Sequence, residues 1–300
     1  MAKEFKLKNG DSELIVSSDG GALVAFNYFG FNYLAEKFND NFIESGQGQI
    51  LLPWPNRIKG GVYEYLGAQY QLPINEIAHN NAIHGLLRWD KFYEESIAGD
   101  SLKLKSCLVA QQGYPFELEV NLSYNLTSSG FKVTTEVINK SLMAAPFGLG
   151  WHPYFVVSNE FVNDWHLQID ANMYCEVDID LIPTSLESSD GGDYDFRKSK
   201  KIGNTVLDTC IAGFDGRGIN ATLYSEASNR TLEVYSDGAF KYLMVFSGDS
   251  LKDGLKRRSI ALEPMTCPAN AFNSKNDLVT IAPNQKFEGS WGINISSGKS

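Results

Sequence analysis

The sequence predicts an all-β fold: one large antiparallel β-sandwich, with residues 1–300 forming a single domain. Three observations predict it. Apolar and polar residues alternate in short runs, turn residues interrupt those runs about every ten positions, and no stretch keeps helical periodicity for three turns. A half-buried strand hides every second side chain, so alternation marks sheets with one face on a core. A chain of 300 residues can bury a large core, and all-β chains of this size can be one domain.

The elements follow in order. Glu13-Leu14-Ile15-Val16 is a strand leading into the turn Asp19-Gly20-Gly21. Leu51-Leu52-Pro53-Trp54-Pro55-Asn56-Arg57-Ile58 holds two prolines, which cannot donate ladder hydrogen bonds, so it is an edge or a loop crossing. Residues 61–66 and 69–72 alternate on either side of Gly67, which reads as a hairpin with a short glycine-containing loop. Residues 102–108, 116–124 and 131–138 alternate cleanly, and residues 231–235 and 242–246 continue the pattern. Short helical turns are expected near residues 39–43 and 269–272. The Ser/Gly/Asp stretch at 188–193 reads as a loop within the same domain, because strand patterns resume beyond it. The polar tail at 296–300 is expected to fray.

Composition narrows the function. A net charge of −10 argues against nucleic acid, which needs a basic face to offset phosphate repulsion. No run of about 18 apolar residues predicts a membrane span. The N-terminus alternates charge and lacks the apolar centre of a signal peptide, so a cytoplasmic location is expected. The four cysteines, Cys107, Cys175, Cys210 and Cys267, stand far apart and read as buried free thiols. With no His-x-His or H-E-x-x-H spacing, no metal site is expected. A small neutral or modestly charged ligand fits these bounds best.

Two of the four histidines sit in unusual company. His84 lies in Asn81-Ala82-Ile83-His84-Gly85, where the missing Cβ of Gly85 lets backbone or ligand approach. His152 lies in Gly148-Leu149-Gly150-Trp151-His152-Pro153-Tyr154-Phe155. Aromatics beside a polar handle suit a sugar cleft, because rings pack on pyranose C–H faces while polar groups meet hydroxyls. Each histidine is also compatible with a satisfied core residue. His79 and His166 lack such surroundings, and His166 reads as structural.

Glu263, in Ile260-Ala261-Leu262-Glu263-Pro264, is expected at the end of an apolar strand stopped by proline. Burial there would raise its pKa toward the range of a working base. A plain strand-end turn is the other reading. Arg57 can hold sugar hydroxyls or a carboxylate with its fork of donors, or sit in a surface salt bridge. Asp208, in Val206-Leu207-Asp208-Thr209-Cys210, is a weaker candidate of the same kind as Glu263.

Taken in order, these segments resemble the aldose 1-epimerase (galactose mutarotase) family over most of the chain. The resemblance is carried by Pro55-Asn56-Arg57-Ile58, Gly60-Gly61-Val62-Tyr63, Ile83-His84-Gly85, Gly150-Trp151-His152-Pro153-Tyr154-Phe155, Leu207-Asp208 and Leu262-Glu263-Pro264-Met265-Thr266. Pro53-Trp54-Pro55 and His84-Gly85-Leu86-Leu87-Arg88-Trp89 look more like a divergent bacterial branch than the best-known galactose mutarotases.

The resemblance implies a β-supersandwich that interconverts the α and β anomers of a free hexose such as galactose or glucose, without metal or organic cofactor. By position it implies that Glu263 takes the proton of the anomeric hydroxyl and His152 protonates the ring oxygen. His84 would support the ring-oxygen region, and Arg57 and Asp208 would bind hydroxyls. The Asp208 segment matches the family only loosely. A small sugar is the expected partner, with the chain acting as a monomer or homodimer and with no nucleic acid or membrane involved. Two alternatives stand beside this. A hexose-6-phosphate 1-epimerase would need a cation near C6, which Arg88 or Lys91 could supply. A non-catalytic carbohydrate-binding or sensing protein could keep the cleft without turnover.

Overall fold

The computed structural model describes residues 2–38 and 46–297, and within them antiparallel sheet dominates. The expected helical turn at 39–43 lies outside the described residues.

The larger sheet has nine strands in the order Tyr93–Ala98, Ser101–Leu108, Leu118–Leu126, Gly130–Asn139, Lys286–Ser297, Arg230–Ser236, Asn220–Ser225, His166–Ile169 and Lys200–Lys201. Strict alternation builds it. Leu118, Val120, Leu122, Tyr124 and Leu126 are all buried, while the residues between them are at least partly open. Fully burying each such side chain is worth roughly 1.5–3 kcal/mol.

The second sheet has eight strands: Pro183–Ser188, Met173–Val177, Asp208–Ala212, Tyr242–Phe246, Ile260–Met265, Gly150–Trp151 and Ile50–Leu51 in sequence, with Tyr154–Phe155 also paired to Ile260–Met265. The two sheets meet in a core where Trp151 of one lies 5.9 Å from Trp291 of the other. The Trp151 indole also donates to Thr135 Oγ1 at 3.3 Å, joining the layers through a polar contact. A smaller sheet holds Glu4–Asn9, Ser12–Ser17, Leu23–Tyr28 and Phe31–Asn32.

The hairpin at Gly67 forms as expected, from Val62–Tyr65 and Ala68–Gln71. Its loop residues Leu66 and Gly67 both have positive φ, the twist that a two-residue hairpin loop requires. The double-proline segment is a loop crossing between Ile50–Leu51 and Arg57–Lys59. The helical turn expected at 269–272 is found as Ala271–Ser274.

The tail departs from expectation at its start. Ser296 and Ser297 are in the ladder opposite Thr231 and Arg230, so pairing overrides their polarity. Their strand, Lys286–Ser297, is the longest described, and Gly289 and Gly292 interrupt its alternation in sequence. Of the cysteines, Cys175, Cys210 and Cys267 are buried free thiols as expected, and Cys107 is exposed. No helix among the described residues is long and apolar enough to cross a membrane.

Candidate active site

The eight-stranded sheet has a second face, and the period of two that fills the core also furnishes it. Trp151, Leu262, Leu243 and Val245 are buried in the core, whereas the intervening His152, Glu263, Met244 and Phe246 line a cavity of about 450 Å³. Register then sets which of these meet. Gly150 pairs with Met265 and Tyr154 with Ala261, so His152, midway along its segment, comes level with Glu263. His152 Nε2 lies 3.5 Å from Glu263 Oε1.

The strand carrying Glu263 does not stop at Pro264, contrary to expectation; it runs through to Met265. Proline's fixed φ suits extended backbone, and neighbours on both flanks hold the strand there. Leu243 is opposite Pro264 on one side, and Gly150 is opposite Met265 on the other.

Arg57 and His84 reach the cavity from a two-stranded ladder, with Arg57 opposite Ile83. Just beyond it, the backbone N–H of His84 donates to Asn56 O at 2.9 Å, and His84 and Gly85 both take positive φ. The glycine is needed because a Cβ on it would stand 2.3 Å from Leu52 O. Backbone is what approaches Gly85. The turn brings the His84 ring to 5.1 Å from the His152 ring, edge to face, while Tyr154 stacks on His152 at 4.9 Å.

Arg57 lines the cavity and is also ion-paired, in a largely buried bridge and not the surface one considered for it. Its Nε and Nη2 donate to the Glu76 carboxylate at 2.8–3.1 Å, and Nη1 donates to Asn56 Oδ1 at 3.1 Å. Asn81 Nδ2 braces the same carboxylate at 3.2 Å. Asp208, at the start of its strand, is open to solvent and borders the same cavity.

Burial governs the electrostatics. Glu263 is 2% exposed, and desolvation, reinforced by Asp208 and opposed by Arg57, pushes its carboxyl well above the usual range. Desolvation, helped by the Arg88 charge, pushes His152 down to about 3. His84 is likewise driven well below the ordinary histidine range, by burial first and then by His152, Arg88 and Arg57. Burial thus disfavours charge on both members of the pair, and the two shifts favour a protonated carboxyl beside a neutral imidazole. Asp208 is raised as well by the protein packed around it, with Arg57 pulling the other way. Its access to solvent makes that push weaker than the one on Glu263.

Buried polar atoms without partners point to the same place. Among the described residues ten side-chain atoms are so stranded, and four of them, on His84, Arg88, His152 and Glu263, belong to this cavity's wall. An unmet buried polar group costs about 1–3 kcal/mol, so such a cluster marks a site built for something else to complete. A larger cleft of about 630 Å³, lined by residues of 90–95 and 105–107, contains no histidine and none of these stranded atoms. The smaller cavity is the candidate site.

All five residues singled out from sequence, Arg57, His84, His152, Asp208 and Glu263, line it. Glu76 was missed, and nothing in its local sequence, Asn75-Glu76-Ile77, distinguishes it from a surface carboxylate. From sequence Tyr154 reads only as an aromatic neighbour. Of the two cations considered near a sugar's C6, Arg88 lines the cavity, whereas Lys91 pairs with Asp19 outside it. His166 is elsewhere, 3.6 Å from Glu226, as its structural reading expected. No cluster of metal-binding side chains occurs among the described residues.

With this geometry in view, comparisons with known proteins agree on a family. The model of the aldose 1-epimerase family matches residues 3–293. The uncharacterized protein YihR of Escherichia coli (strain K12) is 33% identical over 276 residues, 92% of this chain and 87% of that one. Human galactose mutarotase is 28% identical over 233 residues, 72% of this chain and 66% of its own length. The solved structure of galactose 1-epimerase from Lactobacillus acidophilus NCFM matches with a TM-score of 0.85 at 21% identity, covering 99% of this chain and 95% of that one. A GalM/aldose epimerase homologue from C. elegans matches over all of both chains with a TM-score of 0.89 at 17% identity. The structural likenesses are likenesses of fold.

Proposed function

The chain belongs to the aldose 1-epimerase family, and from that membership we propose that it is a mutarotase, opening and reclosing the ring of a free hexose to interconvert its α and β anomers. The observation that carries the reading is the His152–Glu263 pair: two buried proton-exchanging groups 3.5 Å apart at the wall of a sugar-sized cavity.

Ring opening removes a proton from the hydroxyl on C1 and delivers one to the neighbouring ring oxygen O5. Two groups must act at adjacent oxygens, and between them they must carry one transferable proton. The directions in which burial shifts the two groups support that inventory in this pair. As the sugar binds, its C1 hydroxyl donates to the Glu263 carboxylate and favours the ionised form, with the pair's proton on His152. Glu263 then takes the hydroxyl proton while His152 protonates O5, the C1–O5 bond breaks, and the aldehyde rotates about C1–C2. The same groups acting in reverse close the ring on the other face. Each positioned transfer is worth roughly 10²–10⁴-fold in rate. No electrons leave the sugar, so the chemistry itself calls for no redox cofactor. His84 backs His152 edge-on, and Arg57, held by Glu76, turns its remaining donors to sugar hydroxyls together with Asp208.

Polarimetry of freshly dissolved α-anomers tests this. Glu263→Gln keeps the shape and removes the exchanging proton; it is expected to abolish acceleration while sugar binding survives. Full activity in that variant removes Glu263 from the mechanism. Sugar binding by the wild type with no change in anomer relaxation would instead favour a sensing protein.

A further inference from the structure

Four sulfur-bearing side chains, Cys175, Cys210, Met244 and Met265, pack into one cluster apart from the main core. None of them has a part in the proton transfers above. Strand register explains how they meet. Met173 lies opposite Ala212 and Tyr174 opposite Ile211, so one step further along the same ladder Cys175 comes opposite Cys210. Cys210 is opposite Met244, and Met244 is opposite Glu263. The two thiols thus end a row of side chains that crosses the sheet to Glu263. Directly opposed residues of antiparallel strands have Cα atoms about 4.5–5.5 Å apart. A disulfide spans about 4.4–6.8 Å, so this pair can be bridged without a large movement of either strand.

The thiols already interact. Cys210 donates a hydrogen bond to the Cys175 sulfur, which holds the Cys175 thiol below its ordinary value in spite of burial. The same bond, joined by burial, holds Cys210 well above. The pair is therefore asymmetric, a nucleophile beside a thiol placed to resolve it. The other two cysteines lack this arrangement. Burial pushes Cys267 up to about 12, and Cys107, although exposed, is raised by desolvation and then by Glu117. Access is one-sided as well. Cys175 borders a cavity of about 140 Å³ together with Ser185, Tyr242 and Asn270, and Cys210 is not part of that lining. A water takes up about 30 Å³, so the cavity admits a molecule of a few heavy atoms and not a bulky disulfide.

We propose that Cys175 and Cys210 form an oxidisable dithiol, which a small hydroperoxide such as hydrogen peroxide converts into a cross-strand disulfide beside the site. The Cys175 thiolate attacks one peroxide oxygen and the O–O bond breaks, giving a sulfenic acid at Cys175. The second oxygen leaves as hydroxide and takes up the proton that Cys175 gave up. The Cys210 sulfur then attacks the Cys175 sulfur. An S–S bond forms, the S–O bond breaks, and the hydroxyl leaves as water with the Cys210 proton. The sulfurs lose two electrons, and the peroxide that gains them becomes two waters.

A covalent bond in place of a hydrogen bond draws these strands together. One of them begins at Asp208, and the strand on its other side carries Met244 and Phe246, all three lining the site cavity. Oxidation should therefore slow turnover. That consequence rests on the mutarotase reading, whereas the disulfide itself does not. A misplacement of about 1 Å can cost about 100-fold in rate.

The test treats the protein with hydrogen peroxide, alkylates the remaining thiols under denaturing conditions and maps the peptides by mass spectrometry. The expected product joins Cys175 to Cys210, is reversed by dithiothreitol, and leaves Cys107 and Cys267 alkylated. Cys210→Ser should stop at a Cys175 sulfenic acid that dimedone captures, and Cys175→Ser should leave Cys210 reduced. In the anomer assay the oxidised wild type should lose at least about 10-fold in kcat/KM and regain it on reduction. Cys175→Ser should match the reduced wild type and be indifferent to peroxide.

Cys175 and Cys210 both alkylated after peroxide, or oxidation confined to Cys107, overturns the proposal. A disulfide that leaves turnover unchanged overturns its link to the site. If the reduced wild type accelerates no sugar, the mutarotase reading fails, and the peptide map alone decides the dithiol. If a serine variant does not fold, the wild-type map and its reversal still decide.

Discussion

Trp151 and His152 are consecutive in sequence and serve opposite faces of one sheet. The indole packs 5.9 Å from Trp291 in the core, and the imidazole stands 3.5 Å from Glu263 in the cavity. The catalytic candidate is thus aimed by its neighbour's packing. Trp151→Ala should destabilise the protein by roughly 3–5 kcal/mol, as large aromatic truncations in cores do. Urea unfolding checks this, and a loss below about 1 kcal/mol would show that Trp151 does not anchor the segment.

The pH dependence of turnover follows from the pair's single proton. Acid adds a second proton as pH falls through about 3, the value to which burial pushes His152. Alkali removes the only proton once pH passes the raised pKa of Glu263. kcat/KM should therefore fall on an acid limb below the ordinary histidine range and on an alkaline limb above the ordinary carboxylate range, the two limbs belonging to the pair and not to one residue. A limb near pH 6.5, the value of an unperturbed histidine, would contradict it.

Stability should carry the same signature. The folded-state pKa of Glu263 is raised, so between the ordinary carboxylate pKa and that raised value the unfolded chain has lost a proton the folded one keeps. Folding is penalised increasingly as pH rises through that window. Gln at 263 has no proton to lose. The Tm of Glu263→Gln minus that of wild type should grow as pH rises above the ordinary carboxylate range, about pH 4. A difference that stays constant or shrinks means that the carboxyl is not buried in its protonated form.

Gly85 tests the turn that presents His84. A methyl group there would meet Leu52 O at 2.3 Å, in backbone with φ of +71°. Gly85→Ala should lower stability by about 2 kcal/mol or more, and turnover with it, because relief requires moving His84. Thermal unfolding and the anomer assay together check this, and a variant unchanged in both would mean that the turn can shift freely.

Much of this protein was legible from its chain. Residues 102–108 and 131–138 alternate so regularly that each reads as one face in and one face out, and both are interior strands of the larger sheet. Where glycine breaks the pattern, in Lys286–Ser297, the strand is not legible from sequence, because alternation needs side chains to be seen. Pro264 misled for the related reason that a local breaker yields to partners on both flanks. The five residues that line the cavity stand out in the sequence because histidine, arginine and carboxylate among glycine, proline and aromatics form unusual local company, matched to a family order.

The sequence by itself determined the fold class and which side chains could move protons, because periodicity and chemical type are local properties. Only the tertiary structure decided which of those groups meet. Strand register brought His152 level with Glu263. Contacts across the chain placed Glu76 on Arg57 and left the Arg88 guanidinium without a carboxylate among the described residues. Pairing between segments distant in sequence depends on how whole strands and turns pack, and no stretch of sequence carries that on its own.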